Sequence, residues 1–285
     1  MGTIEKRQDF VLLVTSKLGN LNGDPNGNRP RTTDSDYGMV TDVCIKRKIR
    51  NRLQEEGYEI FVQAEDRPGF DGCKSLQTRA ETLRKAENCR DDVALKDAVI
   101  NKYIDARLFG AVLAYGKVSI GIRGPVTIQT GVTVDPVNII DLDITKSVNG
   151  VDADVGKVKT SDTMGGHKYA TEFGLYVIRG SVNAYLAERV GLTDEDVDAL
   201  KEAIVSMFVS DDSAARPAGT IKLVKAVWWE HDCKKGQYSP DVVFDSVKIV
   251  KKAGVSDPTS IDDYDVTIDD SYQVAGNVLK HVDLI

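Results

Sequence analysis

The six residues FVLLVT, Phe10 to Thr15, constrain this chain most. A continuous apolar run of strand length leaves no polar face for water, so it predicts a central strand buried on both sides. From Val40 to Leu53, Ile45, Ile49 and Leu53 form a stripe at helical spacing, which predicts a first helix with one face in the core. Residues 56–105 are polar and mixed, with RPGFDG as a turn signal and a helix-like stretch from Val93 to Leu108, and read as an inserted subdomain. From Val118 to Val134 apolar residues alternate with period two, interrupted by Gly124-Pro125 as a bulge, and predict one long second strand. Residues 135–168 read as a projecting hairpin, with Ile139 to Ile144 pairing with Val151 to Val158 across Asn149-Gly150.

Phe173, Leu175 and Val177 alternate as a third strand. Thr193 and Asp196 form a capping box ahead of Val197, Leu200, Ile204, Met207 and Phe208, which predicts a second helix. Ile221 to Trp229 supplies a fourth strand, and Val242 to Val250 a peripheral one. The order strand, helix, strand, strand, helix, strand is that of an α+β, ferredoxin-like fold of the RNA-recognition kind: a βαββαβ antiparallel sheet with two helices on one face. Many unrelated domains use it, so fold alone does not decide function. The RNP1 pattern is absent, so any RNA contacts must come from loops, helix ends and insertions.

At 285 residues with 41% apolar side chains, the chain can bury a sizeable core. No apolar run approaches the length of a membrane span, and MGTIEKRQDF lacks the apolar stretch of a signal peptide, so a cytoplasmic protein without a membrane partner is expected. Lys6 stands where a myristoylation motif wants Ser or Thr. Cys44, Cys73, Cys89 and Cys233 form no C-x-x-C pair and read as reduced thiols.

The net charge of −7 is unevenly spread. Residues 1–52 hold ten Lys/Arg against six Asp/Glu, so +4, and the remainder hold 27 against 38, so −11. From Ala253 to Leu279 there is no basic residue, but there are Asp257, Asp262, Asp263, Asp265, Asp269 and Asp270. One surface can attract a polyanion while another repels it.

The loop NGDPNGNRPR, Asn22 to Arg31, is shaped for backbone rather than core. Its N-x-D-x-N-G pattern suggests half an EF-hand, but that loop needs Asp first and Glu twelfth, where Asn22 and Thr33 stand, and it should follow a helix. Gly23 and Gly27 can bring backbone amides to an anion, with Asn28, Arg29 and Arg31 as added donors. On this segment alone a phosphate cradle and a solvated turn stay level. In CIKRKIRNR, Lys46, Arg47 and Arg50 share a helix face, and five basic groups in seven residues have no acid among them. A phosphate chain over the helix is expected to supply the counter-charge.

With these residues in view, NGDPNGNRPR followed by GMVTDVCIKRKIRN resembles the signature of the backbone subunits of type I CRISPR surveillance complexes (Cascade), in the subtype I-C and I-B branch of the CRISPR-associated "family seven" proteins. ARLFGAV with RGPVTIQ, DTMGGHKYATEFGLYVIRGSVNA and MFVSDDSAARP are similar to that family's later blocks in order and spacing. The chain departs from the pattern in its short first loop, in Gly165-Gly166-His167 where more basic character is usual, and in its acidic 135–168 insertion.

The resemblance implies a hand: an RNA-recognition-like palm from 1–55, 106–134 and 169–285, a helical finger insertion at 56–105 and a thumb hairpin at 135–168. Copies would polymerise along CRISPR RNA, each thumb turning a base out, and present the guide for pairing with a target DNA strand. Implied partners are further copies of the chain, a large subunit, an RNA-processing subunit and a recruited helicase-nuclease. Asn26, Asn28, Arg29 and Arg31 would hold phosphates from the loop, and Thr41, Lys46, Arg47 and Arg50 from the helix. His167 and Lys168 at the return from the thumb, with Ser213 and Arg216 in SDDSAARP, would complete the groove; as plain structure, His167 finishes a turn and Arg216 pairs with Asp211 or Asp212.

No catalytic group, metal site or cofactor is expected: His231 beside Cys233 lacks further ligands at zinc spacing, and His281 is near the terminus. The alternative is a metal-dependent RNA nuclease like the type III backbone subunits, using a loop aspartate such as Asp24, Asp34 or Asp36. Incubation with RNA and magnesium separates these two. A small-molecule-binding domain of the same fold is a third class, tested by chromatography with and without RNA.

Overall fold

Phe10–Thr15 lies inside β1 (Gln8–Gly19), where alternate side chains enter two separate cores. Phe10, Leu12 and Val14 face one, Val11 and Leu13 the other, and all five are fully buried. The structure is a computed structural model and describes residues 2–67, 69, 71–145, 164–269, 273–274 and 277–285.

In chain order, β1 is followed by β2 (Tyr37–Val40), α1 (Asp42–Glu55), α2 (Leu76–Ala86), α3 (Asp92–Lys102) and α4 (Ile104–Phe109). Next come β3 (Gly110–Tyr115), β4 (Val118–Arg123), β5 (Val126–Ile128), β6 (Gly131–Pro136), β7 (Ile139–Thr145) and β8 (Met164–Val182). The chain ends through α5 (Ala184–Val190), α6 (Asp194–Ser206), β9 (Ile221–Glu230), α7 (Pro240–Asp245), β10 (Val247–Lys251), β11 (Tyr264–Ile268), β12 (Gln273–Val274), β13 (Asn277–Val278) and β14 (His281–Asp283). The result is a mixed α/β protein dominated by one antiparallel sheet of order β14-β9-β1-β8-β6-β2, with β5 and β7 also paired to β8.

The first core contains the Ile45, Ile49 and Leu53 stripe of α1 and Val197, Leu200 and Ile204 of α6, as their spacing predicts. Both caps form. The Thr41 hydroxyl accepts from Cys44 N, and Thr193 and Asp196 make a reciprocal capping box. The cover of the second face, which helices on one side leave unexplained, comes from Val243 and Phe244 of α7 with Tyr264 of β11.

Four expectations change. The stretch Val118–Val134 is three strands, and β4 leaves the main sheet to pair with β3. At the break, Gly124 approaches the preceding helix so closely that a Cβ would stand 2.3 Å from the carbonyl carbon of Phe109. The main sheet therefore resumes at Val126. The insertion also has no core of its own: Leu83, Leu95, Leu113 and Ile122 belong to the same cluster as Phe10. Ile139–Thr145 pairs with Met164–Thr171 of β8, and the expected partner Val151–Val158 with the Asn149-Gly150 turn lies outside the described residues. Val242–Val250 is a helix followed by a strand, because Pro240 opens a helical turn before β10 begins.

Candidate nucleic-acid interface

The loop after β1 is built by its own short side chains. Asp24 Oδ1 accepts the Asn26 N–H at 2.8 Å, Asp24 N donates to Arg29 O at 2.8 Å, and Asn28 takes φ +56, a left-handed turn that asparagine tolerates. Asn20 Nδ2 donates to Asn28 O, and Asn22 Oδ1 accepts from Thr41 N at 2.9 Å, which docks the loop on the start of α1. Asp24 also pairs with Arg31 at 3.1 Å.

Between this loop, α1, the Asp211–Arg216 turn and the start of β8 lies a cleft of about 770 Å³. It is lined by Asn28, Arg47, His167, Lys168, Ser213 and Arg216 among the residues singled out from the sequence, and by Asn20, Lys48, Asn51, Arg67 and Tyr169, which that reading missed. Five Lys/Arg side chains (Arg47, Lys48, Arg67, Lys168, Arg216) meet three carboxylates (Asp66, Asp211, Asp212), a surplus of two positive charges in a chain of net charge −7. Asn20 Oδ1 and Asn51 Oδ1 are buried and find no hydrogen-bond partner among the described residues. Asn26, Arg29 and Arg31 line an adjoining hollow of about 460 Å³ with Tyr169, and the Arg29 guanidinium lies 5.3 Å over the Tyr169 ring. Tyr169 is thus common to both.

The basic run of α1 finds its counter-charges inside the protein. Lys46 bonds Asp42 at 2.9 Å one turn earlier, Lys48 is buried on Asp211, and Arg52 meets Glu56 at 2.9 Å. Arg50 is buried on Asp105 at 2.8 Å with its guanidinium 5.0 Å over Phe109, so it faces the core and not the cleft. Thr41 is occupied as a helix cap, and neither it nor Lys46 lines the cleft. Arg47 does line it, anchored by a bond to Val62 O at 2.7 Å. Burial, then the neighbouring Arg50, lowers the Arg47 pKa, and burial likewise pushes Lys48 down and the Cys44 thiol up.

The SDDSAARP turn is tied to the helix by one carboxylate. Asp211 accepts from Lys48 and, at 3.0 Å, from Arg216 Nε, while Ser213 and Arg216 exchange backbone hydrogen bonds at 3.0 Å. Arg216 therefore pairs as the plain structural reading expects and still borders the cleft. His167 sits between Asp141 and Asp143 at 3.1 Å from each, and Lys168 has no ion-pair partner among the described residues. Lys48 hides in sequence within a charge run, although its place between Ile45 and Ile49 of the buried stripe marks it.

The profile of the family described as CRISPR-associated protein Cas7 matches residues 6–269. CRISPR-associated protein Cas7 of Haloferax volcanii is 29% identical over 115 residues, which cover 40% of this chain and 34% of that protein's length. One solved chain from a CRISPR RNA-guided surveillance complex, pre-nicking, is 16% identical with a TM-score of 0.49 over 78% of this chain and 75% of its own. A second, from a CRISPR RNA-guided surveillance complex, is 15% identical with a TM-score of 0.49 over 88% of this chain and 78% of its own. No helix among the described residues is long and apolar enough to cross a membrane. The family profile spans nearly the whole sequence, every residue that lines the cleft included, and the chain belongs to the CRISPR-associated Cas7 family.

Proposed function

We propose that this chain is an RNA-binding backbone subunit of a type I CRISPR surveillance complex, of the I-C/I-B kind, and that the cleft holds the phosphate chain of the guide. The observation that carries the reading is the surplus of cationic side chains around a cleft of about 770 Å³ in an otherwise acidic protein. Arg47, Lys168 and Arg216 supply charge, Asn28 and Ser213 supply neutral donors, and Tyr169 with Arg29 offers a flat face beside the strand. None of these reads a base edge in a fixed register. Sequence recognition is left to pairing of the guide with target DNA.

The strand order β9-β1-β8-β6, with α1 between β1 and β6 and α6 between β8 and β9, supports a ferredoxin-like palm. The β7/β8 hairpin is the base of the thumb in this reading, and α2–α4 with the β3/β4 hairpin is the finger. Successive copies, a large subunit, an RNA-processing subunit and a recruited helicase-nuclease are the partners, and cutting is left to the last. The test is fluorescence anisotropy of labelled single-stranded RNA across a salt series. Arg47→Ala with Lys168→Ala is expected to weaken binding and flatten the salt slope by roughly 0.7 log unit per lost phosphate contact. An affinity and slope equal to those of the parent protein overturn the assignment.

A further inference from the structure

The base of the β7/β8 hairpin carries a second constellation, which shares His167 with the edge of the cleft. Asp143 and His167 are direct cross-strand partners, and Asp141 lies two residues earlier on β7, so the strand period puts all three on one face. Their donor atoms converge. His167 Nδ1 is 3.1 Å from Asp141 Oδ1 and 3.1 Å from Asp143 Oδ1, and one ligand atom from each residue lies within 4.8 Å of the others. No other trio of His, Cys, Asp or Glu converges this closely among the described residues.

An imidazole nitrogen and two carboxylate oxygens, three ligand atoms of the kinds that hold transition metals, are turned toward one spot. A cation in the middle satisfies all three donors at once. The imidazole is also held from outside the trio: it stacks on Tyr169 at 6.0 Å with an interplanar angle of 12°, and Tyr169 in turn lies under Arg29. A ring fixed in this way keeps Nδ1 turned to β7, the orientation a ligating histidine needs.

We propose that Asp141, Asp143 and His167 bind a divalent transition-metal ion. One imidazole nitrogen with two carboxylate oxygens suits Mn²⁺, Co²⁺, Ni²⁺ or Zn²⁺, whereas Mg²⁺ and Ca²⁺ prefer oxygen alone. All three side chains are exposed, so the remaining coordination positions open to water or to a phosphate oxygen. Two carboxylates beside the basic cleft repel a polyanion, and a bound divalent ion cancels that local charge. Metal binding itself does not rest on the RNA reading, so it is tested without RNA.

Metal-free protein is titrated with Co²⁺, followed by visible absorption, calorimetry and the ring resonances of its three histidines. The expected result is saturation at one equivalent, a paramagnetic shift at His167 ahead of His231 and His281, and a loss of about tenfold or more in affinity in the Asp141→Asn/Asp143→Asn variant. Thermal melting checks that this variant folds as the parent does, and His167→Gln is a second variant with the same expected loss. Absence of saturable binding, equal affinity in the variants, or a first shift at another histidine overturns the site.

Discussion

Arg50 donates its Nε–H to Asp105 Oδ2 at 2.8 Å in the core between α1 and α4. The same carboxylate accepts the backbone N–H groups of Phe61 at 2.7 Å and Val62 at 3.1 Å, so one ion pair ties α1 to the segment that enters α2–α4. Removing the guanidinium strands a buried charge, and breaking such pairs costs about 3–5 kcal/mol. Arg50→Ala is expected to destabilise the protein by that order in urea unfolding. Lys46→Ala removes a half-exposed pair one turn away from Asp42 and is expected to cost no more than about 0.5 kcal/mol. Equal midpoints for the two variants would refute the placement of Arg50.

A pH dependence follows from Asp9. It is fully buried, accepts from Arg7 Nη2 at 2.7 Å and faces His231 Nε2 at 2.8 Å. Gln237 N–H donates to His231 Nδ1 at 2.9 Å, so the imidazole proton sits on Nε2 and points at Asp9. Burial pushes the Asp9 carboxyl up, but the hydrogen bond from His231 and the charge and hydrogen bond of Arg7 outweigh it and hold the pKa below the ordinary aspartate value. A folded pKa below the unfolded one gives stability that is complete above the unfolded value and is lost as pH falls through the folded one. Asp9→Asn should therefore lower the melting temperature at neutral pH and lose less than the parent between about pH 5 and pH 2. Parallel melting curves across that range would count against this.

Asp24, one of the three candidate nuclease aspartates, has both oxygens engaged, one by the Asn26 N–H and one by Arg31. Labelled RNA incubated with the protein and Mg²⁺ or Mn²⁺ is expected to stay intact on a denaturing gel. Product that Asp24→Ala abolishes would make the chain an enzyme.

Two glycines a few residues apart should behave oppositely. At Gly124 a Cβ would meet Phe109 carbonyl carbon at 2.3 Å and Gly110 N at 2.4 Å, backbone atoms that cannot swing aside, whereas at Gly121 nothing lies within 4 Å. Gly124→Ala is expected at or above the upper end of about 1–3 kcal/mol of destabilisation. Gly121→Ala should fall within about 0.5 kcal/mol of the parent. Urea midpoints of the pair decide it.

What the sequence made legible was local. β1 announced itself because burial on both faces leaves no polar position, and α6 because Thr193 and Asp196 satisfy each other three residues apart. The stretch from Val118 misled because period two is the same whichever strand it pairs with, and only the approach of Gly124 to Phe109 decides that. The cleft was half legible for a similar reason. Glycines, asparagines and a charge run mark the loop and α1, but the carboxylates that absorb Arg50 and Lys48 lie 55 and 163 residues away. The trio at the hairpin base was missed because a cross-strand register is invisible until the turn length is known.

Of the strands, β8 is the one whose length reaches well beyond the end of β1. Its 19 residues run without interruption from Val182, opposite Gln8 of β1, to Met164, and past Thr171 its described partner is β7 alone. No joint separates the clamped part from the overhang. Like a cantilevered beam, the strand passes a push on its far end to its root as torque, and the root is registered along nearly the whole of β1. Whatever loads the overhang is felt in the middle of the protein.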